Sequence, residues 1–139
     1  LMYPNQNKLI IDAGTCITYD FVNAENQYLG GAISPGIKIR YKSLNNYTSK
    51  LPLLTLSEDF EIIGNSTKSA IHSGVINGVI FEIEGFISQY SLKNQDLTII
   101  LTGGDAEFLA KRLKSTIFAN SNFLLESLNL LSLYTQKND

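Results

Sequence analysis

The chain has one cysteine, one histidine, one methionine and no tryptophan among its 139 residues. A single cysteine, Cys16, excludes an intramolecular disulfide, and a cysteine-built metal centre would need other ligand types. Charge is sparse, at 17% of residues, and its two signs nearly cancel, with 11 basic against 13 acidic side chains. That balance does not draw a protein to DNA, RNA or an anionic membrane. Uninterrupted apolar runs are only a few residues long, far below the roughly 20 that a membrane helix needs, and no secretory leader pattern opens the chain. The expectation is a cytoplasmic protein with neither a nucleic-acid nor a membrane partner. What is present is ordinary globular material: 44% apolar residues, with seven Tyr and seven Phe to supply buried area. The length suits one domain or one lobe of something larger.

Short runs and punctuation give an element order. Lys8 to Asp12 is an apolar run ended by Asp-Ala-Gly, a buried strand and a turn. Thr15 to Val22 alternates Thr and apolar residues, a second strand. Asn23 to Gln27 is a polar hairpin turn, and Tyr28 to Ser34 a third strand, with Gly30-Gly31 signalling a bulge or a close approach. Ile37 to Tyr47 has helical spacing, with Lys38, Arg40 and Lys42 read as a solvated face. Ser49 to Thr67 reads as a long loop with one short extended piece. The longest helix follows, capped by Ser66 or Thr67, with Ile71, Val75, Val79, Ile83 and Phe86-Ile87 on its inner face. Gly74 and Gly78 share a face of that helix and predict an element packed very close. Asp96 to Ala106 holds a strand running into a Gly-Gly turn, Asp105 would cap a helix to Ser115, Phe123 to Leu125 would be a short strand, and Glu126 to Tyr134 a closing helix. This β-β-β-α-β-α-β-α order is an α/β layer arrangement.

Three turns could carry chemistry. Gly14 permits a tight turn in which N–H groups approach an anion, Thr15 and Thr18 add hydroxyls, and Asp12 could hold a cation through oxygen. On spacing alone, a hairpin turn with Asp12 bonded to the backbone is the simpler reading. Gly30 to Gly36, "GGAISPG", leaves the far end of the third strand nearly bare, which suits a ligand, a facing helix or a plain bulge and turn. Gly103-Gly104, between a strand and a helix start, suits a phosphate or a nucleoside, or an ordinary βα turn. It matches neither the dinucleotide fingerprint nor the P-loop. Thr67, Ser69 and His72 surround one helix start. His72 reads as a surface or partner-contacting residue, Cys16 as a small strand residue and Asp20 as a turn or surface residue.

"IIDAGTCITYDF", "GGAISPG", "GNSTKSAIHSGVINGV" and "ILTGGDA" together resemble the second half of the type III pantothenate kinases, with Cys16 where Ala is usual. The resemblance implies a ribonuclease-H-like lobe with a mixed five-stranded sheet, the second lobe of an actin-like ATPase fold, spanning residues 1–139. It implies ATP-dependent phosphorylation of pantothenate, the first step toward coenzyme A, in a homodimer. Asp12 then corresponds to the ligand of a monovalent cation, K⁺ or NH₄⁺, with Mg²⁺ arriving on ATP. Gly14 and Thr15 correspond to the ATP-phosphate turn, Gly103 and Gly104 to the adenosine-side turn, and Thr67 to a pantothenate contact. The family's first phosphate loop and its Gly-Ala-Asp-Arg segment, which holds the general base, are not found here. The chain opens with Leu just after where that segment would lie, so no catalytic residue is expected within it, and alone it is expected to be inactive. An alternative on the same fold is a regulatory protein of the Bvg accessory factor type.

Overall fold

The computed structural model describes residues 5–58, 60–115 and 117–119. Three strands form a meander: β1 (Lys8–Ala13), β2 (Cys16–Val22) and β3 (Tyr28–Pro35). Helix α1 (Ile37–Asn46) follows, then α2 (Thr67–His72), a π-helical turn (Ser73–Asn77) and α3 (Gly78–Lys93). Strand β4 (Thr98–Thr102), the short helix α4 (Ala106–Ala110) and a two-residue strand β5 (Phe118–Ala119) complete the described elements. The sheet order is β3-β2-β1-β4-β5. β1–β2 and β2–β3 are antiparallel, whereas β4 runs parallel to both β1 and β5. The sequence reading does not separate β5 from its surroundings. The strand expected at Phe123 to Leu125 and the closing helix at Glu126 to Tyr134 lie outside the described residues.

Alternation along the strands decides which side of the sheet faces the helices. Leu9, Ile11 and Ala13 of β1, Ile17 and Tyr19 of β2, and Ile99 and Leu101 of β4 share one core with Ile37 and Tyr41 of α1 and with Ile71, Val75, Val79, Ile83 and Ile87. Burying each large aliphatic side chain there contributes about 1.5–3 kcal/mol, so truncating Leu101, fully buried, to Ala costs about 2–5 kcal/mol. Ile10 and Ile100 form a separate buried pair. They sit opposite one another in register, one residue out of phase with the main core, which places them on the other face. Asp12 and Thr102, two residues on and also in register, belong to that second face.

The 27-residue helical stretch from Thr67 to Lys93 contains an 18-residue window of mean hydropathy 1.3, long and apolar enough to cross a membrane by length and composition alone, although no uninterrupted apolar run marks it. Its packing is that of a core helix. Phe86 stacks on Tyr19 with ring centroids 4.2 Å apart, and Phe21 meets Tyr90 at 5.4 Å. The π turn departs from the uniform helix expected. It lets the consecutive residues Val75 and Ile76 both be buried, which a regular helix face would not favour. The polar ends of the turn reach the preceding loop: Ser73 Oγ donates to the Ile62 carbonyl at 2.7 Å and Asn77 Nδ2 to the Phe60 carbonyl at 2.7 Å. Ser66, not Thr67, caps α2, in a reciprocal pair with Ser69.

Three further expectations are corrected. Among the described residues nothing packs against Gly74, where a Cβ would meet nothing within 4 Å, and at Gly78 only the tip of Arg40 comes near, at 3.8 Å. Gly74 is exposed, whereas Gly78 is half-buried. Asp105 precedes α4 but makes no side-chain capping bond, and α4 stops at Ala110, five residues short of the expected end. The extended piece expected between Ser49 and Thr67 forms no strand among the described residues.

Candidate functional site

Parallel pairing of β1 with β4 sets Asp12 beside Thr102, so the two Gly-containing turns leave the sheet side by side. The contact is tight. Gly103 has φ +101°, and a Cβ there would lie 2.5 Å from Asp12 Oδ1 and 2.6 Å from the Ala13 carbonyl oxygen. Only glycine satisfies both conditions. The Asp105 N–H then donates to the Ala13 carbonyl at 3.0 Å, which ties the second turn to the first. The start of α1 joins from the third side. Gly36 N–H donates to the Thr15 carbonyl at 3.0 Å, and a Cβ on Gly36 would fall 2.2 Å from the Gly14 carbonyl oxygen. The bareness of "GGAISPG" therefore admits a neighbouring backbone turn at Gly36, while Gly30, at φ +103°, marks the bulge between β2 and β3.

Between these turns lies a cleft of about 470 Å³ lined by Gly14, Thr15, Lys38, Ile39, Lys42, Gly104 and Asp105. Of the five residues put forward for the ATP and cation sites, Gly14, Thr15 and Gly104 line this cleft and Gly103 borders it. Asp12 stands behind it, its carboxylate against Gly103 on the second face of the sheet, where Thr18 is its cross-strand partner. Thr18 opens instead on a shallow depression with Asp20, Tyr28 and Ile33. Thr67 lies apart from both. It is exposed at the first position of α2 and lines neither the cleft at Gly14 and Gly104 nor the depression at Thr18.

Burial raises the pKa of Asp12 above the ordinary carboxylate value, and the nearby Asp20 adds to the rise. Burial likewise raises Asp105. Beside Asp12 in register, the fully buried Thr102 hydroxyl has no hydrogen-bond partner among the described residues, an unusual state for a buried polar atom.

Lys38 and Lys42 are exposed, as the reading of α1 as carrying a solvated face expects, but the face they share is not a plain one. One turn apart, both line the cleft, and both also line a second cavity of about 250 Å³ with Tyr41, Leu53, Leu54, Leu56 and Asp105. Arg40, on the opposite side of α1, corrects the solvated reading, with its side chain 21% exposed. Its guanidinium pairs with Glu82 of α3 at 2.6 Å, and its Nε donates to the Pro35 carbonyl at 2.8 Å. Tyr19 and Ser34 hydroxyls also donate to Glu82, each at 2.6 Å. Burial pushes the Glu82 pKa up, but the hydrogen bonds from Ser34, Tyr19 and Arg40 and the arginine's charge outweigh it, and the net shift is downward. Burial, then the bond to Glu82, raises Tyr19. This four-residue tie escaped the sequence reading because its partners are 42 to 63 positions apart. The only local signal was the four-residue spacing of the lysines, with Arg40 midway between them.

His72 meets Tyr41 within the chain: its Nδ1 is 2.6 Å from the Tyr41 hydroxyl, whose pKa burial pushes up to about 12. Cys16 is exposed at the start of β2.

A mixed α/β sheet with paired glycine turns at neighbouring strand ends defines a class of lobe built to receive a ligand at its carboxyl edge. Within that class the family is specific. The profile of the type III pantothenate kinases matches residues 2–89, and the chain belongs to that family. It is 63% identical over 139 residues to the type III pantothenate kinase of Flavobacterium johnsoniae, covering all of this chain and 57% of that protein. It is 65% identical over 132 residues to the one from Flavobacterium psychrophilum, covering 95% of this chain and 55% of the relative. The chain thus spans a little over half the length of these curated relatives. A crystal structure from Campylobacter jejuni, of a protein assigned to the Baf family of transcriptional activators, shares the fold at TM-score 0.67 and 22% identity, over 95% of this chain and 60% of that one.

Proposed function

We propose that this chain forms the second, ribonuclease-H-like lobe of an actin-like kinase that transfers the γ-phosphoryl group of ATP to the primary hydroxyl of pantothenate. The observation that carries this is the convergence of the Gly14–Thr15 and Gly103–Gly104 turns on one cleft, in a chain of this family. Backbone N–H groups and the Thr15 hydroxyl then hold the phosphates, and Gly103–Gly104 lets the nucleotide approach without a Cβ in the way. Thr67, whose hydroxyl makes no hydrogen bond among the described residues, contacts pantothenate.

A monovalent cation fits at Asp12. A half-buried carboxylate stands beside the partnerless Thr102 hydroxyl, and no group of three or more acidic, His or Cys side chains suited to a more highly charged ion occurs among the described residues. Asp12 and Thr102 would hold K⁺ or NH₄⁺, which offsets phosphate charge, while Mg²⁺ comes with ATP. The general base that takes the proton from pantothenate comes from the part of the relatives this chain does not span. The open face of α3, with Phe81 60% exposed and no neighbour at Gly74 or Gly85, serves as the homodimer contact. The enzyme works in the cytoplasm without a membrane or nucleic-acid partner. In the full-length protein, ADP release with ATP, Mg²⁺ and K⁺ should depend on pantothenate. ADP release that ignores pantothenate, or none at all, overturns the assignment and leaves the Baf-type regulatory reading.

A further inference from the structure

We infer that Lys38 and Lys42 of α1 are nucleotide-binding residues, contacting the phosphate chain from the side of the cleft opposite the Gly103–Gly104 turn. The inference rests on the ATP-using reading above and adds two side chains to it. Both lysines line the cleft with Gly14, Thr15, Gly104 and Asp105. Neither makes an ion pair or hydrogen bond among the described residues, in contrast to Arg40 between them. Their four-residue spacing puts them about 40° apart around the helix, whereas Arg40 lies about 200° from Lys38. The helix cannot rotate to carry the lysines away: Arg40 is tied to Glu82 and to the Pro35 carbonyl, and Gly36 to the Thr15 carbonyl.

Charge placement supports an anionic ligand. The whole chain carries net charge −2, yet the cleft holds two lysines against one carboxylate, Asp105. Ammonium groups without a partner among the described residues, beside the exposed Thr15 and the open Gly104, bind a polyphosphate better than any neutral ligand. The helix start adds to this, since no side chain caps it. Asp105, which lines both cavities, is placed to accept from a hydroxyl of the ligand, not to meet its phosphates. The cleft, about 470 Å³, falls within the ~300–1,000 Å³ usual for small-molecule sites.

The test is titration of the full-length protein with a fluorescent ATP analogue, alongside its pantothenate-dependent ADP release. Replacing both lysines with methionine should weaken nucleotide binding by about tenfold and flatten its dependence on ionic strength, with the KM for pantothenate unchanged. The Lys38→Arg/Lys42→Arg pair should restore binding to within about twofold, and an unchanged melting temperature in both pairs sets aside misfolding. Nucleotide binding by the methionine pair within twofold of the parent overturns the inference, as does a change confined to pantothenate. Lysine-dependent nucleotide binding without pantothenate turnover would leave the inference standing and remove the proposed reaction. Absence of nucleotide binding by the parent protein removes both.

Discussion

Helix α1 presents two opposite basic sides with different fates. On one, Arg40 is enclosed by Glu82, Tyr19 and Ser34, and every group in that cluster is satisfied. On the other, Lys38 and Lys42 face a cleft and have no partner among the described residues. The same charge on the same helix thus does two jobs. The arginine fixes the helix against β2, β3 and α3, and the lysines remain available because the arginine has fixed it. A second contrast lies in the Gly103-Gly104 pair. Gly103 is wedged at positive φ against Asp12 and Ala13, whereas a Cβ on Gly104 would meet nothing within 4 Å. One glycine is needed to build the turn and the other to leave it open.

The glycine contrast should give the largest effect. Gly103→Ala combines a left-handed backbone with overlap against Asp12 and Ala13, and should destabilise by about 3 kcal/mol. Gly104→Ala should stay within about 0.5 kcal/mol while weakening nucleotide binding. Urea unfolding of the two variants measures both, and equal losses would break the distinction. On α1, Arg40→Met leaves the partly buried Glu82 without its counter-charge and should cost about 2 kcal/mol; these side chains are 21% and 22% exposed, so the full cost of a deeply buried pair does not apply. The contribution of Glu82 has a definite pH window. Its folded pKa lies below its ordinary value of 4.5, so its stabilisation is complete above that value and is lost as pH falls through the lower folded one. The stability gap between the parent and Glu82→Gln should therefore be widest near neutral pH and close in acid; a gap that grows on acidification would reverse the sign assigned here. Tyr19→Phe, which removes one of the donors to Glu82, should cost about 1 kcal/mol. Smallest of all, Lys38→Met and Lys42→Met should each change stability by less than about 0.5 kcal/mol, because neither lysine holds the fold together.

Much of the framework was legible because its signals are local. The apolar run at Lys8 to Asp12, the alternation in Thr15 to Val22, the Asn23–Gln27 turn and the four-residue recurrence from Ile71 to Ile87 each need only a short window. Gly30-Gly31 inside a strand signalled the bulge or close approach, and Gly103-Gly104 signalled a turn, though not that Gly103 is wedged against Asp12 and Ala13. What escaped was non-local or ambiguous. The π turn is accompanied by bonds from Ser73 and Asn77 to a loop whose path no periodicity reveals. The Glu82 tie joins four elements across the sequence. Gly74 and Gly78 suggested a close neighbour, but small residues four apart mark a face without saying whether it turns inward. Alternating Lys, Arg and Lys on α1 looked like ordinary solvation, because only the packing of α1 on Thr15 shows that one side of it closes a cleft.

The central claim is that ATP phosphates lie between the Gly14–Thr15 turn and Gly104. Amide chemical-shift mapping of the full-length, isotope-labelled protein during an ATP titration locates the ligand directly. The account predicts that the largest shifts fall on Gly14, Thr15, Gly104 and Asp105, with smaller ones along the first turns of α1. Saturable ATP binding that leaves those four amides unmoved, with its shifts elsewhere, would contradict it.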